Sequence, residues 1–318
     1  MVVDLELVHG EGQVMPRSYG FVKVDVFTTV AFEGNPLAVF TDARGLDTAT
    51  MQRIACELNL SETTFVFPPA DPKHIAQVRI FSPRSELPFA GHPTVGTAFV
   101  LRGDTETDTL VLEEGIGPVP VRVARGDDGA TQFWLTTPPI TFGERVDPKP
   151  VAAALGLHVN DLQVDAPPEV AGAGPKFLFV ALKSREVVDR IEMLDYRALR
   201  AAVPNAPTEV FVFARLEESD DPSGYSFAVY SRMFAPEIGV PEDPATGSAT
   251  GPLAAYLLRH GLLPLANGQR MISEQGTKMG RRSLLHVLIH VDEEHPTAPP
   301  RIEVGGSVVQ IARGEMTI

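Results

Sequence analysis

The fold is decided by RIFSPRSELPFAGHPTVGTA (79–98), a stretch that the chain repeats as RMFAPEIGVPEDPATGSA (232–249). Both copies read Arg-x-Phe-x-Pro, then Pro, then Pro-x-x-Gly-x-Ala. The offset between them is 153 residues, and it falls to 151 after two extra residues of the first copy, Phe89 and Ala90. Chance does not readily produce this order twice, so the two stretches indicate an internal duplication.

The flanking sequence repeats as well, although more loosely. LDTATMQRIACELNLSETTFVF (46–67) parallels LDYRALRAAVPNAPTEVFVF (194–213), and each predicts an amphipathic helix that leads into a Phe-Val-Phe strand. LEEGIGPVPVRV (112–123) is echoed by SEQGTKMGRRSLLHVLI (273–289). A period near 150 residues is too long for a solenoid and indicates duplication of a whole domain.

These elements predict an α+β fold with two pseudo-symmetric domains. Each domain is expected to wrap a curved, mostly antiparallel sheet around one central buried helix, at roughly 93–102 and 244–260, because both segments are apolar almost all round. The proline-rich stretch 136–150 is the best boundary between domains.

The predicted organisation has three parts. Residues 1–19 form an N-terminal extension outside the repeat, residues 20–138 together with 303–318 form the first domain, and residues 139–302 form the second.

Composition narrows the class of protein. The chain has 318 residues, 44% of them hydrophobic, and a net charge of −14 that disfavours nucleic acid and anionic membranes as partners. No apolar run is long enough to span a membrane, and no secretory signal is apparent, so a cytoplasmic location is expected. The one cysteine, Cys56, excludes an internal disulfide and a pair of catalytic thiols, and it is predicted to pack as a small hydrophobic side chain.

Both predicted buried helices begin with a polar residue and a proline, His92-Pro93 and Asp243-Pro244. Proline is favoured at the first helical position, and small residues follow it in both copies. Two helix N-termini facing one cleft could therefore hold a substrate carboxylate. From its local sequence alone, Asp243 would be an ordinary helix cap. Because Asp243 and His92 occupy the same place in the two copies of the repeat, a functional role for both is strengthened.

Glu62 is a further candidate, because it lies in NLSETTFVF immediately before an apolar strand. A simple polar residue at a helix-to-strand junction is the alternative reading, and Glu209 has that place in the other half. The hydroxyl groups of residues 61–64 could orient the Glu62 carboxylate for proton transfer.

Taken together, the chain resembles the PhzF-like family, which is named for the phenazine-biosynthesis isomerase and shares the diaminopimelate-epimerase fold. The resemblance covers residues 21 to 318 and is carried by VDVFTTVAFEGNPLAVF (24–40), NLSETTFVF (59–67), the stretch 79–98, PEDPATGSATGPLAAYL (241–257), EQGTKMGR (274–281) and EVGGSVVQIARGEM (303–316).

The resemblance implies specific roles for six residues. Glu62 would be the single acid and base, His92 and Asp243 would bind and polarise the substrate, and Gly91, Gly247 and Ser248 would shape the site and hold a carboxylate. It also implies a homodimer acting on a small carboxylated substrate, similar to dihydro-3-hydroxyanthranilate, without metal or other cofactor. Two alternatives stay open: an epimerase or racemase for another carboxylated metabolite, and a metabolite-binding homologue without catalysis.

Overall fold

The computed structural model describes residues 17–103, 107–126, 129–217, 227–295 and 298–318. Of the predicted N-terminal extension, residues 1–16 lie outside this description, whereas Ser18 and Tyr19 already belong to the first strand. The predicted domain limits otherwise remain a prediction.

Among the described residues up to Thr136, the first half contains eight strands and two α-helices. They are β1 (Ser18–Val26), β2 (Asn35–Phe40), α1 (Thr48–Leu58), β3 (Glu62–Phe67), β4 (Ala76–Phe81), β5 (Glu86–Leu87), α2 (Gly91–Arg102), β6 (Thr109–Glu114), β7 (Gly117–Arg125) and β8 (Thr131–Thr136).

In the part of the second half that the structure describes there are nine strands and four α-helices. They are β9 (Thr141–Arg145), α3 (Pro148–Ala154), β10 (Glu169–Gly172), β11 (Lys176–Ala181), α4 (Arg185–Arg190), α5 (Tyr196–Ala202), β12 (Val210–Arg215), β13 (Ala228–Ala235), β14 (Val240–Asp243), α6 (Gly247–Arg259), β15 (Gln269–Gln275), β16 (Ser283–His290) and β17 (Arg301–Thr317).

Strand pairing repeats between the halves. In the first half β2 pairs parallel with β3, β3 antiparallel with β4, β4 parallel with β6, and β6 antiparallel with β7. In the second half β11, β12, β13, β15 and β16 follow the same series of directions. The predicted duplication, with mostly antiparallel pairing, is therefore present in the backbone.

The first half closes into a ring of strands. β1 pairs with β2 on one side and with β17 on the other, while β17 also pairs with β8. The long strand β17 additionally pairs with β16 at its beginning, so it joins the two halves. Closure removes exposed strand edges and leaves an interior that side chains must fill.

A helix fills the interior of each half, as the sequence predicts. Every residue of α2 from Gly91 to Ala98 is buried, and the helix contacts seven strands of the first ring. In α6 the buried residues include Ala249, Leu253, Tyr256 and Leu257, which pack in the core of the second half. Apolar residues on all sides of these helices are explained by this burial.

The predicted helix starts require correction. Pro93 is the third residue of α2, and Pro244 lies three residues before α6, so neither occupies the first helical position. The cap of α6 is Thr246, whose backbone N–H is bound by the Gln275 side chain. Asp243 is consequently the last residue of β14 and not a helix cap.

Two further observations concern the surface. Cys56 is exposed on α1, so the prediction that it packs in the interior is wrong. Among the described residues, no helix has the length and apolar character needed to cross a membrane.

Candidate active site

A cavity of about 850 Å³ lies between the two halves. All six residues singled out in the sequence line it: Glu62, Gly91, His92, Asp243, Gly247 and Ser248. The first three come from the first half and the last three from the second. The duplication therefore supplies one shared cavity and not two separate ones.

The two buried helices point their N-termini at each other across this cavity. A Cβ atom placed on Gly91 would lie 3.4 Å from the Ser248 backbone nitrogen and 3.6 Å from the Cα of Gly247. The first N–H groups of any α-helix lack partners inside the helix, and the dipole adds about half a positive charge there. Glycine at both starts leaves these groups accessible to a carboxylate.

The Glu62 carboxyl group faces His92 at the cavity wall. Glu62 Oε2 lies 3.3 Å from His92 Nε2, but neither atom has a hydrogen-bond partner of good geometry among the described residues. The side chains are only 18% and 7% exposed. Two polar atoms that are buried and unpaired in a cavity are poised to bind a ligand.

Neighbouring hydroxyl groups do not orient Glu62, contrary to the prediction. The Thr64 hydroxyl bonds to that of Thr97 at 2.8 Å, within the core. Thr63 is fully buried, and its hydroxyl has no hydrogen-bond partner in the described part of the chain. Alternation along β3 turns Thr63 to the opposite face from Glu62, whereas Thr64 shares the face of Glu62 but its hydroxyl is engaged by Thr97.

Burial shifts the pKa values of the three ionisable residues that the sequence singled out, Glu62, His92 and Asp243. Burial and, to a smaller extent, the negative charge of Asp243 together raise the pKa of Glu62 to about 8. Burial lowers the pKa of His92 to about 3, so the imidazole is neutral at pH 7. Desolvation also raises the pKa of Asp243 to about 6, against the opposing effect of its hydrogen bonds. At neutral pH the cavity thus contains a protonated Glu62, a neutral His92 and an ionised Asp243.

Asp243 is held rigidly by residues that the sequence interpretation did not single out. The Asn35 side chain donates to Asp243 Oδ1 at 3.0 Å, and the Thr246 hydroxyl donates to Oδ2 at 2.5 Å. The Gln275 amide donates to the Asp243 carbonyl oxygen at 2.8 Å and to the Thr246 hydroxyl at 2.9 Å. Asn35 lies in the GNP motif (34–36) and Gln275 in the EQG motif (274–276). Both motifs belong to the segments that carry the family resemblance, and this is the sequence feature that could have identified the two residues.

Comparison with known proteins gives a consistent result. The family model described as phenazine biosynthesis-like protein (PhzC-PhzF) matches residues 24–314. An uncharacterised isomerase of Mesorhizobium japonicum is 38% identical over 95% of this chain and all of its own length. The trans-2,3-dihydro-3-hydroxyanthranilate isomerase of Pseudomonas aeruginosa is 38% identical over 92% of this chain and 98% of its own.

A solved structure agrees with the fold. The PhzF-family phenazine biosynthesis protein of Bacillus anthracis superposes with a TM-score of 0.84 at 26% identity, covering 95% of this chain and all of that one. The α+β architecture predicted from the duplication is thereby confirmed.

Proposed function

Because the chain belongs to the phenazine biosynthesis-like family and is an isomerase, we propose that it moves a proton within a small carboxylated metabolite, with Glu62 as acid and base. The observation that carries this proposal is the unpaired Glu62 carboxyl group in the shared cavity, 3.3 Å from His92 and opposite two helix N-termini. A carboxyl group with a pKa of about 8 can both release and accept a proton near neutral pH.

The proposed reaction is a balanced proton shift. The Glu62 carboxylate removes a proton from one carbon of the substrate, and the electron pair of that C–H bond enters the adjacent π system. The Glu62 carboxylic acid then returns the proton to another carbon on the same face. Substrate and product have the same atoms and oxidation state, so the proposal requires no cofactor.

The other residues of the cavity act on the substrate charge. The N–H groups of Gly247 and Ser248 at the start of α6 are placed to bind a carboxylate, and the helix dipole stabilises the negative charge that develops as the proton leaves. Neutral His92 can hydrogen-bond to the substrate without contributing a positive charge. The ionised Asp243 can accept a hydrogen bond from a substrate amino or hydroxyl group.

The proposed substrate class follows from the characterised relatives. Three of them, from Pseudomonas species, are named for trans-2,3-dihydro-3-hydroxyanthranilate and are 37% or 38% identical to this chain. We therefore place that compound, with related cyclic amino carboxylates, first among the candidates.

The test is deuterium uptake from solvent into a panel of these carboxylates, with wild type beside Glu62→Gln. Label should enter a compound with wild type, and the rate should fall by at least about 10²-fold with Glu62→Gln. Glu57→Gln is the matched control, because Glu57 is an exposed residue of α1. Full exchange by Glu62→Gln would show that another group is the base.

The stereochemical outcome distinguishes isomerase from epimerase. Return of the proton to the same face is expected of one carboxyl group, whereas inversion at the exchanged carbon would require a second base. Exchange should also survive dialysis against EDTA, since no metal is proposed.

The predicted homodimer and cytoplasmic location form part of this proposal. Analytical ultracentrifugation of the purified chain would test the dimer, and a single species at the monomer mass of 34.3 kDa would contradict it.

A further inference from the structure

Glu114 is a carboxyl group in a core position that the proposed reaction does not use. It ends β6, where it shares the buried face of the strand with Leu110 and Leu112, and it is only 8% exposed. Its Oε1 atom lies 2.7 Å from the Thr94 hydroxyl in the first turn of α2, and its Oε2 atom has no hydrogen-bond partner in the described structure.

The Thr94 hydroxyl has two close oxygen neighbours but only one proton. Its Oγ1 atom lies 2.7 Å from Glu114 Oε1 and also 2.7 Å from the carbonyl oxygen of Ala90. A carbonyl oxygen can only accept, so the hydroxyl proton belongs to the Ala90 contact. The other short contact is then a hydrogen bond only if Glu114 donates a proton to Thr94.

We propose that Glu114 is kept as a neutral carboxylic acid that positions the start of α2, where Gly91 and His92 face the cavity. Glu114 donates to Thr94, and Thr94 donates to Ala90, the cap residue of α2. The Ala90 side chain makes no capping hydrogen bond. The two successive hydrogen bonds, from Glu114 to Thr94 and from Thr94 to Ala90, therefore hold the first turn of α2 in place of a side-chain cap. Burial in an apolar setting favours the neutral form and raises the pKa of Glu114 to about 8.

The duplication supports this role independently. Glu114 in LEEG (112–115) corresponds to Gln275 in SEQG (273–276) of the other half. Gln275 fixes the start of α6 by donating to Asp243 and Thr246 and by accepting from the Thr246 N–H. A carboxylic acid, like an amide, presents both a donor and an acceptor, although the amide has a second N–H, so the two halves fix their helix starts with chemically similar side chains.

The charged groups around Glu114 are engaged elsewhere. Glu113 lies on the opposite face of β6 and pairs with His74 at 2.8 Å. Arg79 and Glu86 line the same groove as Glu114 and pair with each other at 2.7 Å. His92 on α2 is neutral. Burial and the Thr94 hydrogen bond determine the pKa of Glu114, and none of these charged groups contributes to it.

Deprotonation would therefore change the helix start. An ionised Glu114 can only accept, so the Thr94 hydroxyl would turn from Ala90 toward the carboxylate. The carbonyl oxygen of Ala90 would lose its strongest contact, and the turn that carries Gly91 and His92 would loosen.

Infrared difference spectra of wild type minus Glu114→Gln test the protonation state without any substrate. The expected result is a carboxylic-acid carbonyl band at pH 6 that disappears as the pH rises through about 8. The backbone amide signal of Thr94 in the NMR spectrum should move over the same pH range in wild type and stay fixed in Glu114→Gln. No carbonyl band at pH 6, or a Thr94 signal that ignores pH, would overturn the proposal.

Variants of Thr94 provide a second test of the proposed hydrogen bond between Glu114 and Thr94. Thr94→Ser keeps the hydroxyl and should retain the wild-type band, whereas Thr94→Val should shift it to the frequency of an unbonded acid. An identical band in Thr94→Val would show that Thr94 is not the acceptor. The proposal rests on the proposed function only in treating this helix start as part of the site, and these spectra remain informative if Glu62 proves not to be the base.

Discussion

At the scale of single residues, the cavity depends on how Glu62 and Asp243 influence each other. Both carboxyl groups are buried, but Asp243 receives hydrogen bonds from Asn35 and Thr246 while Glu62 receives none in the described structure. This difference separates their pKa values, at about 6 and about 8, and leaves the proton on Glu62 at neutral pH. Unequal hydrogen bonding thus assigns the proton-carrying role to one carboxyl group of the pair.

The first prediction concerns the pH dependence of turnover. If Glu62 acts as the base, kcat/KM should rise with pH to a plateau, with the midpoint of the rise near pH 8, because the carboxylate is the active form. Asp243→Asn removes the negative charge that helps to raise the pKa of Glu62, so the midpoint should move to lower pH while the rate falls about 10²-fold or more. Steady-state rates between pH 5 and 9.5 would measure both effects.

Asp292→Asn is the matched control for this experiment, because Asp292 is exposed and pairs with His295 away from the cavity. Its pH profile should match that of wild type. An unmoved midpoint in Asp243→Asn would mean that Glu62 is not the group that titrates.

At the scale of secondary-structure elements, the sequence predicted the two buried helices but not their first residues. The repeated prolines located both helices, yet tertiary hydrogen bonds determine where each begins. Gln275 binds the Thr246 N–H from a strand 29 residues away in sequence, and Thr94 with Glu114 fixes the start of α2. Such long-range contacts have no local signature, so local motifs placed Pro93 and Pro244 wrongly at the first helical position.

The second prediction separates the packing role from the binding role of glycines in α2. A Cβ on Gly96 would lie 2.6 Å from a Leu37 methyl group and 2.9 Å from one of Val26, so Gly96→Ala should lower the free energy of unfolding by about 1–3 kcal/mol. A Cβ on Gly91 would meet the Ser248 nitrogen at 3.4 Å, an ordinary contact, and should change stability little. Because it would cover that N–H group, Gly91→Ala should lower kcat/KM about tenfold or more.

Urea unfolding and steady-state kinetics on both variants would check this contrast. Each variant serves as the control for the other, since the substitution and the helix are the same. A Gly91→Ala enzyme with wild-type kcat/KM would argue against binding of the substrate at the paired helix starts.

At the scale of the whole molecule, the duplication explains why the six candidate residues meet. Each half presents the start of its helix at the same place, and β17 joins the halves by pairing with strands of both. The motifs therefore predicted a common cavity, but its neutral His92 and protonated Glu62 could not be read from sequence. Those states arise from burial by both halves together.

Burial of two protonated carboxyl groups should make the stability of the whole fold depend on pH. Glu62 and Glu114 keep their protons in the folded state up to a pKa of about 8, whereas the unfolded chain releases them near 4.5. The folded state then binds more protons than the unfolded state, so this stabilisation is complete below pH 4.5 and is lost as the pH rises through 8. Between pH 6.5 and 8, each group should lower the free energy of unfolding by at most about 1.4 kcal/mol per pH unit. His92 opposes this slope near pH 6.5, because its pKa is 6.5 in the unfolded chain and about 3 in the folded state, but the opposition fades above pH 7 as the unfolded chain also loses the proton.

Urea unfolding at pH 7.2, 7.6 and 8, where His92 is largely neutral in both states, would measure this slope. Glu62→Gln and Glu114→Gln should each remove about half of it and the double variant nearly all, while Glu57→Gln should keep the wild-type slope. Glu62 faces His92 and Glu114 faces Thr94, so the two carboxyl groups have separate neighbours and their effects should add. A wild-type slope near zero would mean that both carboxyl groups are already ionised in the folded protein, which would contradict the neutral Glu114 proposed above and the raised pKa of Glu62.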